Sequence, residues 1–214
     1  DTPALVDAIS GEFILEPNEE QVQYAQKLLQ DKEKSDALLQ ELKGKPDVTK
    51  SGMRMDIYAN VGSEQELDLA LENDAMGIGL LRSEFLFIGR ECAPTEEEQF
   101  TIYRRVAEKM AGKKTVIRTL DMGADKQADY LQLEEEDNPA LGYRGIRILL
   151  TKTELFKAQL RAIYRAAAYG PLAVLYPMII SGEEVEKIRL ITTQVKEELT
   201  AEGITFGQVE EGIM

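Results

Sequence analysis

From Met53 onward the apolar positions switch repeatedly between a period of two and a period of three to four, the mark of strands alternating with amphipathic helices. Met53 to Val61 reads as a strand, and a helix follows over Leu67, Ala70 and Leu71. Gly77 to Leu81 is a short buried strand, followed by a helix carrying Phe100, Tyr103, Val106, Ala107 and Met110. Thr115 to Arg118 is the third strand, and the next helix carries Leu155, Leu160, Ile163 and Ala167. Leu172 to Tyr176 is the fourth, ahead of a helix with Val185, Ile188, Ile191, Val195 and Leu199. Each helix opens on a hydroxyl residue with glutamate three positions later: Ser63 with Glu66, Thr95 with Glu98, Thr151 with Glu154, Ser181 with Glu184. That spacing is the capping box, in which side chains satisfy the free amides of a helix start. Gly112, Gly170 and Gly203 close three of the helices, and Gln208 to Met214 begins a fifth strand.

Alternating strands and helices predict an α/β fold with a parallel sheet and right-handed crossovers. Periodicity leaves open whether the sheet is flat or closed into a barrel. The connection from the Thr115 strand to the Thr151 helix is far longer than a usual βα loop and reads as polar, and such folds place their sites in insertions on this side.

The chain before Met53 is different. Residues 1–16 are too short for a domain, with one strand expected at Gly11 to Leu15. Asn18 is a helix N-cap with Gln21 at the capping-box position. Apolar residues follow at Val22, Ala25, Leu28, Leu29, Leu38, Leu39 and Leu42, interrupted by a polar stretch from Gln30 to Asp36, until Gly44 and Pro46 stop the helix. One long linking helix, or two, is expected here.

Composition narrows the chemistry. The 214 residues hold 39 acids against 25 bases, a formal charge of −14, with 43% hydrophobic residues, enough for a real core. An acidic excess argues against nucleic acid and against anionic membranes, and no apolar run is long enough to cross a bilayer. A lone Cys92 forms no internal disulfide and fits a cytoplasmic location. The absence of histidine excludes histidine-ligated metals, Ser-His-Asp triads and a phosphohistidine within these residues. The chain begins at Asp1 and stops at Met214 within an apolar strand, so a piece of something longer is expected.

Three arginines stand where chemistry is expected. Arg82 and Arg118 end strands, and Arg144 lies in the long connection. In a parallel α/β domain these places converge on one mouth, and guanidinium forks suit a small, multiply charged anion. The alternative is that each arginine pairs with one of the many acids. Asp121 to Lys126 directly follows the third strand and could position an arginine or a ligand, or be an ordinary polar turn. Gly77 and Gly79 lie inside a strand with no third glycine opening a helix, so no dinucleotide fingerprint is present. Cys92 reads as a free thiol in a loop, and Glu134 to Asp137 as a solvated loop tip.

GIGLLRSEFLFIGRECAPTEEEQF (Gly77 to Phe100), VIRTLDMGADK (Val116 to Lys126), NPALGYRGIR (Asn138 to Arg147) and YPMIIS (Tyr176 to Ser181) closely resemble Enzyme I of the bacterial sugar phosphotransferase system, the phosphoenolpyruvate-protein phosphotransferases. The likeness runs from about Gly52 to Met214 in family order. Pyruvate phosphate dikinases and phosphoenolpyruvate (PEP) synthases share the arginine motifs, whereas TEEEQF and RTLDMGADK resemble Enzyme I specifically.

The resemblance implies an α/β fold that is the first half of a (β/α)8 TIM-type barrel, binding PEP at its C-terminal mouth. It implies residues 1–16 as the tail of a swivelling phosphohistidine domain, 17–46 as a linker helix and 47–214 as the barrel's N-terminal half. Arg82, Arg118 and Arg144 match the family's PEP-binding arginines. The phospho-accepting histidine is expected before Asp1, and the Mg2+ ligands and acid-base cysteine after Met214, leaving no catalytic or metal-binding residue in this chain. The implied enzyme phosphorylates itself from PEP and passes the phosphoryl group to a histidine phosphocarrier protein, starting sugar uptake, as a cytoplasmic homodimer joined through the barrel. The competing readings are a non-catalytic half-barrel used for dimerisation or structure, and a related PEP-utilising enzyme.

Overall fold

In the computed structural model, which describes residues 2–124 and 128–214, the chain divides into two compact units, 1–46 and 47–214. The first unit holds β1 (Ala4–Asp7), β2 (Glu12–Leu15) and α1 (Glu19–Gln40). The strand expected near Gly11 is one arm of an antiparallel hairpin pairing Ala4 with Leu15 and Asp7 with Glu12. The Asp7 carboxylate folds its turn by accepting from the Ile9 amide at 2.8 Å and the Ser10 hydroxyl at 2.8 Å. Helix α1 is single and runs unbroken through the polar stretch. Its start is a complete capping box: Gln21 donates its amide to the Asn18 side chain at 2.9 Å, and Asn18 donates its amide to the Gln21 side chain at 3.0 Å.

The second unit is built on β3 (Tyr58–Val61), α2 (Glu64–Glu72), β4 (Gly77–Arg82), α3 (Glu96–Lys109), β5 (Thr115–Arg118), α4 (Ile146–Thr151), α5 (Thr153–Ala166), β6 (Leu172–Tyr176), α6 (Gly182–Ala201) and β7 (Val209–Ile213). The five strands form a parallel sheet whose spatial order is the sequence order, β3-β4-β5-β6-β7. Without a reversal of order, right-handed crossovers deliver every helix to the same face. The core agrees: Ile78, Leu81, Ile117, Leu172, Val174 and Tyr176 of the strands are buried with Leu67, Tyr103, Phe156, Leu160, Ile188 and Val195 of the helices. Phe156 and Tyr176 meet edge to face with centroids 6.0 Å apart, a contact that adds about 0.5–1.5 kcal/mol to the area it buries. Because side chains alternate along a strand, Val116, Arg118, Ala173 and Leu175 point to the opposite face. There Tyr58 and Asn60 are exposed, and Leu80, Val116 and Leu175 are half-buried.

Several expected elements differ. The strand proposed for Met53 to Val61 shrinks to Tyr58–Val61. Met53, Met55 and Ile57 are exposed, and the segment makes only an isolated bridge between Val48 and Arg54. Its alternation is genuine, but among the described residues β3 is an edge strand with β4 alone beside it. The helix expected to start at Thr151 is two helices. Thr151 ends α4, its hydroxyl donating back to the Ile148 carbonyl at 2.9 Å, so it does not cap α5. Lys152 occupies the cap position without a side-chain bond. The long connection is also less polar than expected, since Leu120, Met122, Leu131, Ile146, Ile148 and Leu149 in it are buried.

Thr95 and Ser181 form complete capping boxes as expected. Glu98 gives one of them a pH signature. Its carboxyl is held down at about 2, first by the Arg90 guanidinium and then by the Thr95 amide and hydroxyl. A folded value below the ordinary 4.5 means that Glu98 supports the helix start fully above about 4.5 and progressively less as pH falls toward about 2. NMR titration of the Glu98 side chain should therefore give a midpoint near 2 in the parent and an ordinary one in Arg90→Ala. An unchanged midpoint in that variant would remove Arg90 as the main cause.

Candidate functional site

Strands β4 and β5 end on arginines that are register partners, Arg82 beside Arg118. Beyond β4 the chain turns at once into a short 3-10 segment, Ser83–Leu86, which buries Glu84 to 3% exposure. Beyond β5, Thr119, Leu120 and Asp121 stay buried as they lead into the long connection.

Arg118 lies between the two acids of these turns. One terminal nitrogen donates to Glu84 Oε1, and the other to Asp121 Oδ2 at 3.2 Å. The second oxygen of Asp121 accepts from Arg144 Nε at 3.2 Å. Asp121 thus joins two guanidiniums that stand 26 residues apart in sequence. Arg144 also donates to the Pro139 carbonyl at 3.4 Å. The turn before it is tied back by Glu136, whose two oxygens accept from the Tyr143 amide at 2.9 and 3.0 Å. Glu136 is therefore half-buried structure, whereas its neighbours Glu134, Glu135 and Asp137 are solvated as expected. After Arg144 the chain reverses at Gly145, with φ +56° and a Cβ position only 3.2 Å from Asp121 Oδ1. A side chain there would press on the acid that holds both arginines.

Arg82 behaves differently. Its guanidinium donates to Glu66 Oε2 at 3.0 Å and lies 5.2 Å from the Phe85 ring centroid. Glu66 was expected to complete a capping box with Ser63. Ser63 does accept from the Glu66 amide, but the Glu66 carboxylate takes the Gly62 amide at 2.7 Å and Arg82 instead. Gly62 is required by packing, since a Cβ would sit 2.2 Å from the Phe85 ring. Arg82 also borders a cavity of about 240 Å3 lined by Val61, Leu67, Leu81 and Tyr103.

The structure thus brings Arg118 and Arg144 onto one carboxylate and leaves Arg82 beside them on a separate partner. The alternative that each arginine meets an acid is also realised, so ion pairing alone does not identify a site. Unused hydrogen-bonding capacity is more telling. Arg82 Nε, Arg118 Nε, Glu84 Oε2 and Thr119 Oγ1 are buried without a partner, all of them at the ends of β4 and β5. Native interiors rarely leave such groups idle, and a cluster of them marks a place prepared for another molecule. Asp121 takes the positioning role among the options its sequence allowed, whereas Asp125 and Lys126 of the same turn lie outside the described residues. Gly77 and Gly79 sit inside β4, and the turn after it is not a helix, so the dinucleotide reading stays rejected. Cys92 is a free, exposed thiol.

Sequence reasoning missed Glu84, Glu66 and Gln159. Glu84 had a signal as the one acid within the apolar run from Leu80 to Ile88. Gln159 had another: it stands between Phe156 and Ile163 on the apolar stripe of α5 and is fully buried. Glu66 had none, because a cap glutamate and an arginine partner look alike in sequence.

Residues 36–214 match the model of the PEP-binding domain of PEP-utilising enzymes. The chain belongs to this family. It is 44% identical over 211 residues to a phosphoenolpyruvate-protein phosphotransferase of Haemophilus influenzae, covering 98% of this chain and 37% of that protein. Proteins of the same description from Staphylococcus epidermidis and Listeria innocua are 42% and 41% identical, again over 98% of this chain and 37% of theirs. The chain therefore spans little more than a third of the length of these relatives. The likeness to Enzyme I drawn from the four motifs is upheld, and the arginine cluster lies inside the matched PEP-binding domain. No helix among the described residues is long and apolar enough to cross a membrane.

Proposed function

We propose that these residues are the PEP-holding part of a phosphoenolpyruvate-protein phosphotransferase, the first half of a (β/α)8 barrel preceded by a linker helix within 17–46 and, in 1–16, the tail of a swivelling phosphohistidine domain. The single observation that carries the reading is the Arg118–Asp121–Arg144 cluster, with its idle buried donors, at the C-terminal end of the parallel sheet. Sequential strand order with helices on one face supports the barrel. PEP brings a phosphate and a carboxylate, and two guanidiniums fixed on one carboxylate offer matching forks to oxygens of either kind.

In the proposed reaction the bond between phosphorus and the enol oxygen breaks, a bond from phosphorus to a histidine nitrogen forms, and the enolate takes a proton to become pyruvate. Phosphoryl transfer needs positioning and positive charge more than covalent help. Arg118 and Arg144 supply both, and Arg82 joins them by exchanging Glu66 for the anion. The histidine belongs to residues other than these, since the 214 contain none. The phosphoryl group then passes to a histidine phosphocarrier protein, and the working enzyme is a cytoplasmic homodimer. Mg2+ does not fit the acids at this mouth: Glu84 and Asp121 already face guanidiniums, and no group of three acid, cysteine or histidine side chains among the described residues could hold a metal ion. Its ligands are assigned to other parts of the enzyme, and no step here is routed through it.

The test is PEP-dependent phosphorylation of the carrier protein. The full-length protein should carry it out, and the 214-residue chain alone should not. Arg144→Ala in the full-length protein should lower kcat/KM by about 10²–10³, the usual cost of removing a donor aimed at developing charge. Arg144→Lys should not restore it, since an ammonium lacks the planar fork. Near-parental activity in Arg144→Ala would favour the competing reading, a structural module whose arginines serve local acids.

A further inference from the structure

Behind the arginine cluster, on the helix side of the sheet, one polar side chain reaches both turns at once. Gln159 of α5 is fully buried. Its Oε1 accepts the Leu120 amide at 3.0 Å, and its Nε2 donates to Ser83 Oγ at 3.1 Å and to the Tyr103 hydroxyl at 3.1 Å. Both donors and the acceptor of the amide are therefore engaged. The bonded positions matter: Ser83 stands between Arg82 and Glu84, and Leu120 lies one residue before Asp121. Tyr103 continues the network on α3, donating to Gln99 Oε1 at 3.4 Å, and Gln99 donates to the Pro94 carbonyl at 3.0 Å.

We infer that Gln159 is a positioning residue for the anion site, setting the spacing of the β4 and β5 turns so that Glu84 and Asp121 receive Arg118 between them. The role rests on the reading of the cluster as an anion site. Only a side chain with an acceptor and two donors on one planar head makes these three bonds. A methionine of similar length makes none and leaves the buried Leu120 amide without an acceptor. The backbone from Thr119 to Asp121 then relaxes toward any available partner, and the Arg118 and Arg144 guanidiniums move with Asp121. Displacements of this kind away from the chemistry cost far more in rate than in fold.

The experiment compares variants of the full-length protein in PEP-dependent phosphorylation of the carrier. Gln159→Met is set against Leu199→Ala, a lesion in the buried face of α6 that makes no bond to either turn, with thermal melts recorded for both. Gln159→Met should lower kcat/KM by roughly 10- to 100-fold, with the larger share in kcat. Leu199→Ala should keep parental kinetics at a comparable loss of melting temperature. Ser83→Ala removes one bond of the network with little change of volume. It should give a smaller loss that does not add to that of Gln159→Met, and it carries the test alone if Gln159→Met fails to fold. Parental kinetics in Gln159→Met, or in Ser83→Ala where that variant carries the test, overturns the positioning role. Arg118→Ala separates the two levels: if it is inactive while the network variants are normal, only the positioning role falls. If Arg118→Ala is itself active, the anion-site reading falls.

Discussion

Arg118→Ala is expected to lose stability and turnover for separate reasons, and adding Glu84→Gln should return the first without the second. As a solvent-facing anion binder, Arg118 would be removable at little cost to folding. The structure places it otherwise, with its side chain 13% exposed and one terminal nitrogen on the buried Glu84. Glu84 Oε2 has no partner already, so truncating Arg118 leaves a carboxylate buried with neither oxygen paired to a cation. Breaking a buried pair from one side costs about 3–5 kcal/mol, mostly through the charge left behind. Glu84→Gln removes that charge and should recover most of the loss in denaturant unfolding. Turnover of the full-length double variant should stay about 10²–10³ below the parent, because a neutral turn supplies no guanidinium to the moving phosphoryl group. Recovery of both stability and turnover would show that Arg118 is a structural ion pair and no more.

The 214-residue chain should self-associate as its concentration rises, through the bare face and edges of its sheet. The edge strands β3 and β7 each have only one neighbour among the described residues, which leaves a row of backbone groups free to pair with another chain. The face opposite the helices carries Tyr58 at 41% exposure with Leu80, Val116 and Leu175 half-buried. Covering one such side chain fully contributes about 1.5–3 kcal/mol, so several together favour association. Tyr58→Lys places a charge on the edge strand and should hold the chain monomeric in sedimentation, with little effect on unfolding because Tyr58 is already half in water. A parent chain that stayed monomeric at every concentration, and as stable as the intact protein, would show that the bare face needs no cover. The half-barrel reading would then fail.

Local patterning determined most of what is local here. The limits of β5 and β6, the capping boxes at Asn18, Thr95 and Ser181, and the rejection of a dinucleotide loop follow from periodicity, hydroxyl placement and glycine position, all of which act over a few residues. The four motifs were also legible, because their residue order survives without the fold. Tertiary structure decided what depends on contacts between distant segments. Sequential strand order and the single helical face come from crossovers, which leave no mark on periodicity. Thr151 could cap the helix after it or close the one before it, and packing of Ile146, Ile148 and Leu149 chose the second. Glu66 offered the same carboxylate to Ser63 and to Arg82, and the nearness of β4 gave it to the arginine. Asp121 bridges Arg118 to Arg144 because the long connection folds back over the end of β5. Gln159 reaches both turns because α5 packs behind them. Sequence determines which side chains carry charge or hydrogen-bonding capacity, and the packed strands and helices determine which of those groups meet.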